Sequence, residues 1–116
     1  MEKYDFEASV TQNIIDALDD ILSIGNMTEE EIDELDPDDY RDELWQDDSV
    51  VGCRCGTWEA EEHMCHNMDL LDEAMIEFGS DFMNGWNAQE AESTVREYVF
   101  VRIYDSVFED YVEDRR

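Results

Sequence analysis

The sequence "STVREYVFVRIYDSVFEDYVE" runs from Ser93 to Glu113 and carries the most regular apolar pattern of the chain. Apolar side chains recur at every fourth position, a spacing that places them on one face of an α-helix. The pattern therefore predicts a helix from Ala88 to about Glu113. Its apolar row is Val95, Val99, Ile103, Val107 and Tyr111, flanked by Phe100, Tyr104 and Phe108. The unbroken apolar run at 98–101 leaves a homodimer seam open as an alternative to a purely internal role.

Two further segments show the apolar period of long helices. The first runs from about Asp5 to Ile24, and Gly25 is suited to end it. The second begins at Thr57, extends over about twenty residues and ends at Gly79. The predicted buried side chains are Phe6, Val10, Ile14, Ala17, Leu18 and Ile21 in the first helix, and Trp58, Met64, Met68, Leu71, Met75 and Phe78 in the second.

Two short helices are predicted between these long ones. Thr28 and Glu31 have the spacing of a capping box, which predicts a helix over Glu29–Leu35. Asp36 and Pro37 then mark the start of another helix, with Tyr40 and Leu44 turned inward. An extended or loop segment is expected near 49–56. The sequence thus predicts a single domain, 1–116, that is all-α or nearly so, with four to five helices.

Composition restricts the classes of function. The chain has 116 residues and a formal charge of −27, from 34 acidic and 7 basic residues. Direct binding to nucleic acid or to an anionic membrane requires clustered lysine and arginine, which this chain lacks. The first ten residues lack the pattern of a signal peptide, and no run of 18 apolar residues predicts a membrane span. An odd number of cysteines is typical of reduced thiols, so a cytoplasmic location is expected.

The acidic residues are concentrated in one segment. Glu29–Asp48 contains twelve acidic residues and one basic residue, Arg41. Residues three or four apart on a helix lie about 5–6 Å apart, close to the step between phosphates along a DNA strand. An ordered acidic helix could therefore imitate DNA. The predicted partner-binding residues are Glu29, Glu30, Asp33, Glu34, Asp38, Asp39, Asp42, Glu43, Asp47 and Asp48. Glu109, Asp110, Glu113 and Asp114 are taken as a separate acidic region.

Two other interpretations of this segment remain. An acidic run is often only a solvated face, and a salt-rich cytoplasm also selects acidic surfaces. Adaptation to salt spreads acids evenly, whereas twelve of 34 fall within twenty residues here, about twice the even share. The clustering favours binding to a basic protein. A non-inhibitory acidic adaptor remains the alternative to a DNA mimic.

A resemblance adds a genomic setting. Residues 40–112 are similar to a family of small acidic proteins carried by phages and mobile elements of Gram-positive bacteria. The similarity rests on Asp47–Val50, Gly52, Gly56, Ala60–Glu62, Asn67, Asp69–Leu71, Glu73–Ala74, Glu77–Gly79 and the helix Ser93–Asp110. The setting implies a role like that of DNA-mimic anti-CRISPR or anti-restriction proteins, which bind the basic DNA-binding groove of a host defence nuclease.

Cysteine and histidine residues suggest a second kind of site. Thiolates and imidazoles are zinc ligands, and Cys53, Cys55, His63 and His66 could surround one ion. Their spacing matches no common zinc module, so buried or half-buried thiols and surface histidines are expected instead. Cys65 and His66 point about 100° apart on a helix, which does not suit nucleophilic catalysis. Neither an enzymatic activity nor a cofactor is expected.

Overall fold

The computed structural model describes residues 4–51, 56–78 and 88–115. Over these residues the chain is all-α and contains no strand, as the sequence predicts. No helix among them is both long enough and apolar enough to span a bilayer. The prediction of four to five helices was too low, because the described residues form seven. These are α1 (Phe6–Ile21), α2 (Glu29–Asp33), α3 (Asp38–Trp45), α4 (Asp48–Val51), α5 (Thr57–His66), α6 (Met68–Phe78) and α7 (Ala88–Arg115), with a 3₁₀ turn at Ile24–Asn26.

Helix α7 is the element on which the others assemble. Helices α1, α3, α4, α5 and α6 all pack against it. A helix surrounded in this way needs apolar side chains around most of its circumference. The predicted apolar row is buried except for Ile103, which is partly buried. The buried apolar side chains of α7 are Ala88, Ala91, Val95, Val99, Phe100, Tyr104, Val107, Phe108 and Tyr111.

Helix α1 runs parallel to α7. Near its start, Ser9 contacts Arg96, and near its end, Asp19 contacts Tyr111. The carboxylate of Asp5 caps the helix by accepting a 2.9 Å hydrogen bond from the backbone N–H of Ala8. The predicted apolar stripe is buried, apart from a partly buried residue at position 21. The helix ends earlier than the predicted residue 24.

The segment expected to be extended near 49–56 begins instead with helix α4. Val50 and Val51 are both buried, because α4 lies against α1 and α7 together. Side chains of the neighbouring helices bind the carbonyls of these valines. Asn13 donates to the carbonyl of Val50, and Ser93 donates to that of Val51, both at 3.2 Å. The expectation was wrong for 49–51, while 52–55 lie outside the described residues.

The single helix predicted from Thr57 onward is interrupted at Asn67. This residue is completely buried, and its side-chain amide donates a 2.8 Å hydrogen bond to the carbonyl of His63. Its backbone is non-helical, which ends α5 and separates it from α6. Met64 and Leu71 are buried as predicted, and Met75 is partly buried. Three other residues of the predicted stripe are exposed: Trp58 by 76%, Met68 by 50% and Phe78 by 39%. The predicted stop at Gly79 lies outside the described residues.

Candidate protein-binding surface

The acidic segment begins with the predicted capping box. The hydroxyl of Thr28 accepts a hydrogen bond from the backbone N–H of Glu31, and the Glu31 carboxylate accepts one from the backbone N–H of Thr28. These two bonds satisfy donors that a helix start otherwise leaves open. Ile32 is buried and anchors α2 to the core. The helix ends at Asp33, two residues before the predicted end at Leu35.

Helix α3 is held against the second half of α7. The carboxylate of Asp36 accepts a 3.0 Å hydrogen bond from the backbone N–H of Asp38, which supports the start of the helix as predicted. The hydroxyl of Tyr104 donates a 2.7 Å hydrogen bond to the carbonyl of Pro37. Leu44 is fully buried, and the half-buried Tyr40 ring stacks on a phenylalanine of α7. Because these side chains hold one face of α3 against the core, the side chains on its opposite face point into solvent.

Most of the predicted binding residues point into solvent. The side chains of Glu30, Glu34, Asp39, Asp42 and Glu43 make no hydrogen bond or ion pair with the part of the chain that the structure describes. They are available to an external partner. We call the following exposed set the acidic surface: Glu29, Glu30, Asp33, Glu34, Asp38, Asp39, Asp42 and Glu43.

One cation is already bound at the edge of the acidic surface. Arg41 lies 3.0 Å from the carboxylate of Asp38 and also pairs with Asp105 of α7. The hydrogen bond to Asp105 raises the pKa of Arg41 above its ordinary value, and the charge of Asp38 adds to this effect. Arg41 therefore links α3 to α7 and neutralises part of the local charge.

Asp47 differs from the residues of the acidic surface. Asp47 is half-buried, and its carboxylate accepts hydrogen bonds from the backbone N–H of Ser49 at 2.8 Å and from the Ser49 hydroxyl at 2.6 Å. It thereby caps α4 and is engaged within the chain. Asp48 is the first residue of α4.

Acidic residues of α7 extend the surface in a direction that the sequence did not suggest. A cleft of about 410 Å³ separates α2 from the end of α7. Asp33 lines one side of it, and Glu109, Asp110 and Glu113 line the other. The assignment of these α7 acids to a separate region was therefore wrong. Only the packing of two distant segments brings them together, so no local pattern could have identified them.

His63 and His66, two of the residues considered for zinc, lie on α5, away from the acidic surface. Nδ1 of His63 lies 2.9 Å from a carboxylate oxygen of Glu92, so His63 is half-buried and not on the surface as expected, whereas His66 is exposed. The expectation of a buried or half-buried thiol was wrong for Cys65, which is exposed. Cys53 and Cys55 lie outside the described residues. Within the described ranges, no group of three histidine, cysteine or acidic side chains is placed to hold a metal ion.

The chemistry that the acidic surface offers is recognition of positive charge. Clustered carboxylates on anchored helices attract cationic groups and accelerate association with them. Comparison with protein-family models, with curated proteins and with solved structures found no match to this chain.

Proposed function

We propose that this protein is a DNA mimic that inhibits a bacterial defence nuclease of the CRISPR or restriction type. Its acidic surface would occupy the basic groove in which the nuclease binds DNA. The protein would act in the cytoplasm of a bacterial host, encoded by a phage or another mobile element. The resemblance of residues 40–112 to a phage-borne family supports this setting.

The observation that carries the proposal is the combination of exposure and anchoring in α2 and α3. Their acidic side chains are exposed, whereas Ile32 and Leu44 on the same helices are buried. The capping box of Thr28 and the bond from Tyr104 to Pro37 hold the two helices further. The negative charge therefore has a fixed arrangement.

A fixed arrangement matters because a DNA-binding groove presents cations at fixed positions. Carboxylates one turn apart on a helix are spaced at about 5–6 Å, similar to the step between phosphates on one strand. A flexible acidic tail could supply the same charge. It would lose about 1–2 kcal/mol of backbone entropy for each residue that became ordered on binding.

The charge of the whole chain supports the same type of partner. A net charge of −27 repels nucleic acids and anionic membranes and attracts basic proteins. The carboxylates that α7 adds across the cleft widen the acidic surface beyond one helix face. A partner that contacts both sides of the cleft would meet carboxylates of α2 and of α7 together.

A competition assay tests the proposal. The probes are a Cas9–guide RNA complex and a type I restriction endonuclease, each assayed for cleavage of its cognate duplex. We expect inhibition that weakens as the DNA concentration rises, because a mimic and DNA compete for one groove. Inhibition should also weaken at high salt, since the contacts are between charges. Adding DNA before the protein should protect the nuclease.

Two results would contradict the proposal. Inhibition that is independent of DNA concentration would exclude occupation of the DNA groove. Binding to these nucleases without loss of cleavage would favour the acidic adaptor instead. The same assay at several salt concentrations separates a specific complex from general charge attraction, because attraction between distant exposed charges is largely screened at about 150 mM salt, whereas direct contacts are screened less.

A further inference from the structure

A groove between α3 and α7 combines apolar and acidic side chains. Its volume is about 380 Å³, and its apolar lining comes from Trp45, Phe100 and Val101. The rings of Trp45 and Phe100 lie 5.7 Å apart, centroid to centroid. Phe100 is fully buried, whereas Val101 is 52% exposed. The groove therefore has a rigid aromatic floor and an apolar side chain open to solvent.

The apolar lining continues beyond the groove onto α6. The half-buried Trp45 ring lies 6.0 Å from the ring of Phe78, which in turn meets Tyr98 edge to face at 6.4 Å. Phe78 is 39% exposed. Exposed apolar side chains that adjoin one another mark interaction sites more often than single exposed ones do.

Carboxylates border these apolar side chains. Asp42 and Asp105 line the groove together with Arg41, which Asp38 and Asp105 already hold. Asp42 also belongs to the acidic surface, so the groove and that surface are continuous. An occupant of the groove therefore meets more negative than positive charge.

Glu97 provides a further unpaired negative group. It precedes Val101 by one helical turn and so lies on the same side of α7. Its side chain is half-buried and makes no hydrogen bond or ion pair within the described ranges. This burial raises its pKa above the ordinary value of a glutamate. A cation placed beside Glu97 would offset the cost of keeping the carboxylate charged.

We propose that the groove between α3 and α7 binds a segment of a basic protein in which an apolar side chain lies between arginines or lysines. The apolar side chain packs on Trp45 and Val101, and the cations pair with Asp42 and Glu97. This inference rests on the proposed function and names the feature that a nuclease would present beside its DNA groove. The apolar side chain in the groove adds affinity that salt does not screen, whereas the acidic surface accelerates the association with the basic partner.

A second copy of the chain is a poorer occupant of the groove. Each copy would bring a charge of −27, and only 7 of its residues are basic. Acidic borders would then face acidic borders, which is unfavourable. A homodimer through this groove is thus one of the outcomes that the experiment distinguishes.

The experiment uses two synthetic peptides and the full chain. In one peptide, a phenylalanine stands between two pairs of arginines, and in the other a serine replaces the phenylalanine. Calorimetric titration should give the phenylalanine peptide about tenfold tighter binding, because its ring becomes buried. This ratio should persist between about 50 and 300 mM salt, while both affinities fall.

Matched variants locate the binding site. Val101→Ser should reduce the ratio to about twofold, since it removes exposed methyl groups from the groove. Ile76→Ser is the control, because Ile76 is 85% exposed on α6 and does not line the groove. Serine and the β-branched residues have similar helix propensities, so both variants should fold. Circular dichroism checks this.

Each outcome has a definite meaning. If the natural chain binds the two peptides with nearly equal affinity, this inference is overturned. It is also overturned if Val101→Ser and Ile76→Ser change the ratio of the two affinities equally. A concentration-dependent dimer that Val101→Ser disrupts and Ile76→Ser does not would overturn it as well. If the peptides behave as expected and DNA competition fails, the nuclease proposal falls while the groove remains a binding site. If DNA competition is observed and the peptides do not behave as expected, only the assignment of the groove as a binding site falls.

Discussion

Nδ1 of His63 on α5 lies 2.9 Å from Oε2 of Glu92 on α7, and the side chain of Glu92 is completely buried. The other carboxylate oxygen of Glu92 pairs with Arg96 at 3.2 Å. Arg96 in turn donates hydrogen bonds to Ser9 and to the hydroxyl of Tyr4, whose ring stacks on His63 at 3.8 Å. This polar network joins the start of α1 and helix α5 to the first half of α7, at the opposite end of α7 from the acidic surface.

The buried ion pair leads to a prediction about stability. Arg96→Met leaves the buried carboxylate of Glu92 without its guanidinium partner. We expect the free energy of unfolding to fall by about 3–5 kcal/mol, as urea denaturation would measure. The double variant Arg96→Met with Glu92→Gln should be more stable than the single one, because no uncompensated charge remains. Strictly additive losses would show that the two side chains do not act as a pair.

The contact between Tyr111 and Asp19 predicts a loss of stability in alkali. Burial, together with the hydrogen bond donated to Asp19, raises the pKa of Tyr111 from 10.0 to about 12. The folded chain therefore holds this proton more tightly than the unfolded chain does. Its contribution to stability is complete below about pH 10 and is lost as the pH rises through 12.

Tyr111→Phe tests this prediction. The thermal midpoint of the variant should decline less between pH 10 and 12 than that of the natural chain. At neutral pH the variant should lose about 0.5–1.5 kcal/mol, because the hydrogen bond to Asp19 is gone. That bond is also the largest cause of the lowered pKa of Asp19, so the Asp19 pKa should rise in the variant. If the thermal midpoints of the variant and of the natural chain fall equally in alkali, the prediction is contradicted.

The excess of negative charge predicts that salt stabilises the fold. Repulsion between exposed carboxylates is screened over about 10 Å at 0.1 M salt. We expect the thermal midpoint to rise between about 10 and 300 mM NaCl. Differential scanning calorimetry would measure the midpoint. A flat or falling midpoint would mean that ion pairs within the chain already compensate the charge.

Charge reversal distinguishes the acidic surface from acidic residues elsewhere. The variant Glu34→Lys with Glu43→Lys places lysines near helix C-termini, where they are tolerated. We expect it to weaken inhibition of the nuclease about a hundredfold, because lysines would face a basic groove. The control, Glu61→Lys with Asp72→Lys, makes the same change in net charge on α5 and α6. It should weaken inhibition by less than about threefold, because it changes the net charge of the chain but leaves the acidic surface intact.

A third variant tests whether the α7 carboxylates across the cleft belong to the binding surface. Glu109→Lys with Glu113→Lys changes α7 where it faces Asp33 across the cleft. If both sides of the cleft contact the nuclease, this variant should resemble the first one. An effect no larger than that of the control would confine the binding surface to α2 and α3.

Metal analysis tests the zinc alternative. Protein purified without added zinc should contain well under one equivalent, since Nδ1 of His63 already contacts Glu92. Cys53 and Cys55, the other two candidate ligands, can be replaced by serine as a control. A stoichiometric zinc that chelators remove, with unfolding of the chain, would establish a zinc module instead.

The sequence by itself determined the features that depend on nearby residues. The capping box of Thr28 and Glu31 and the apolar row of α7 were predicted, because capping bonds and helix periodicity act within a few positions of the chain. The exposure of the acidic residues on α2 and α3 followed from the same periodicity. The all-α class depended on these local signals alone.

Only the tertiary structure decided the features that join distant segments. Asn67 interrupts the predicted long helix, and its side chain is buried in the packed molecule. Trp58 is exposed because Ala60 and Met64 form the buried face of α5. Glu92 is acidic and would be expected on the surface, yet partners from α5 and α7 make its burial tolerable. The α7 acids meet Asp33 because two helices far apart in the chain pack together. Such contacts depend on the shape of the assembled core, and no local pattern of residues encodes that shape.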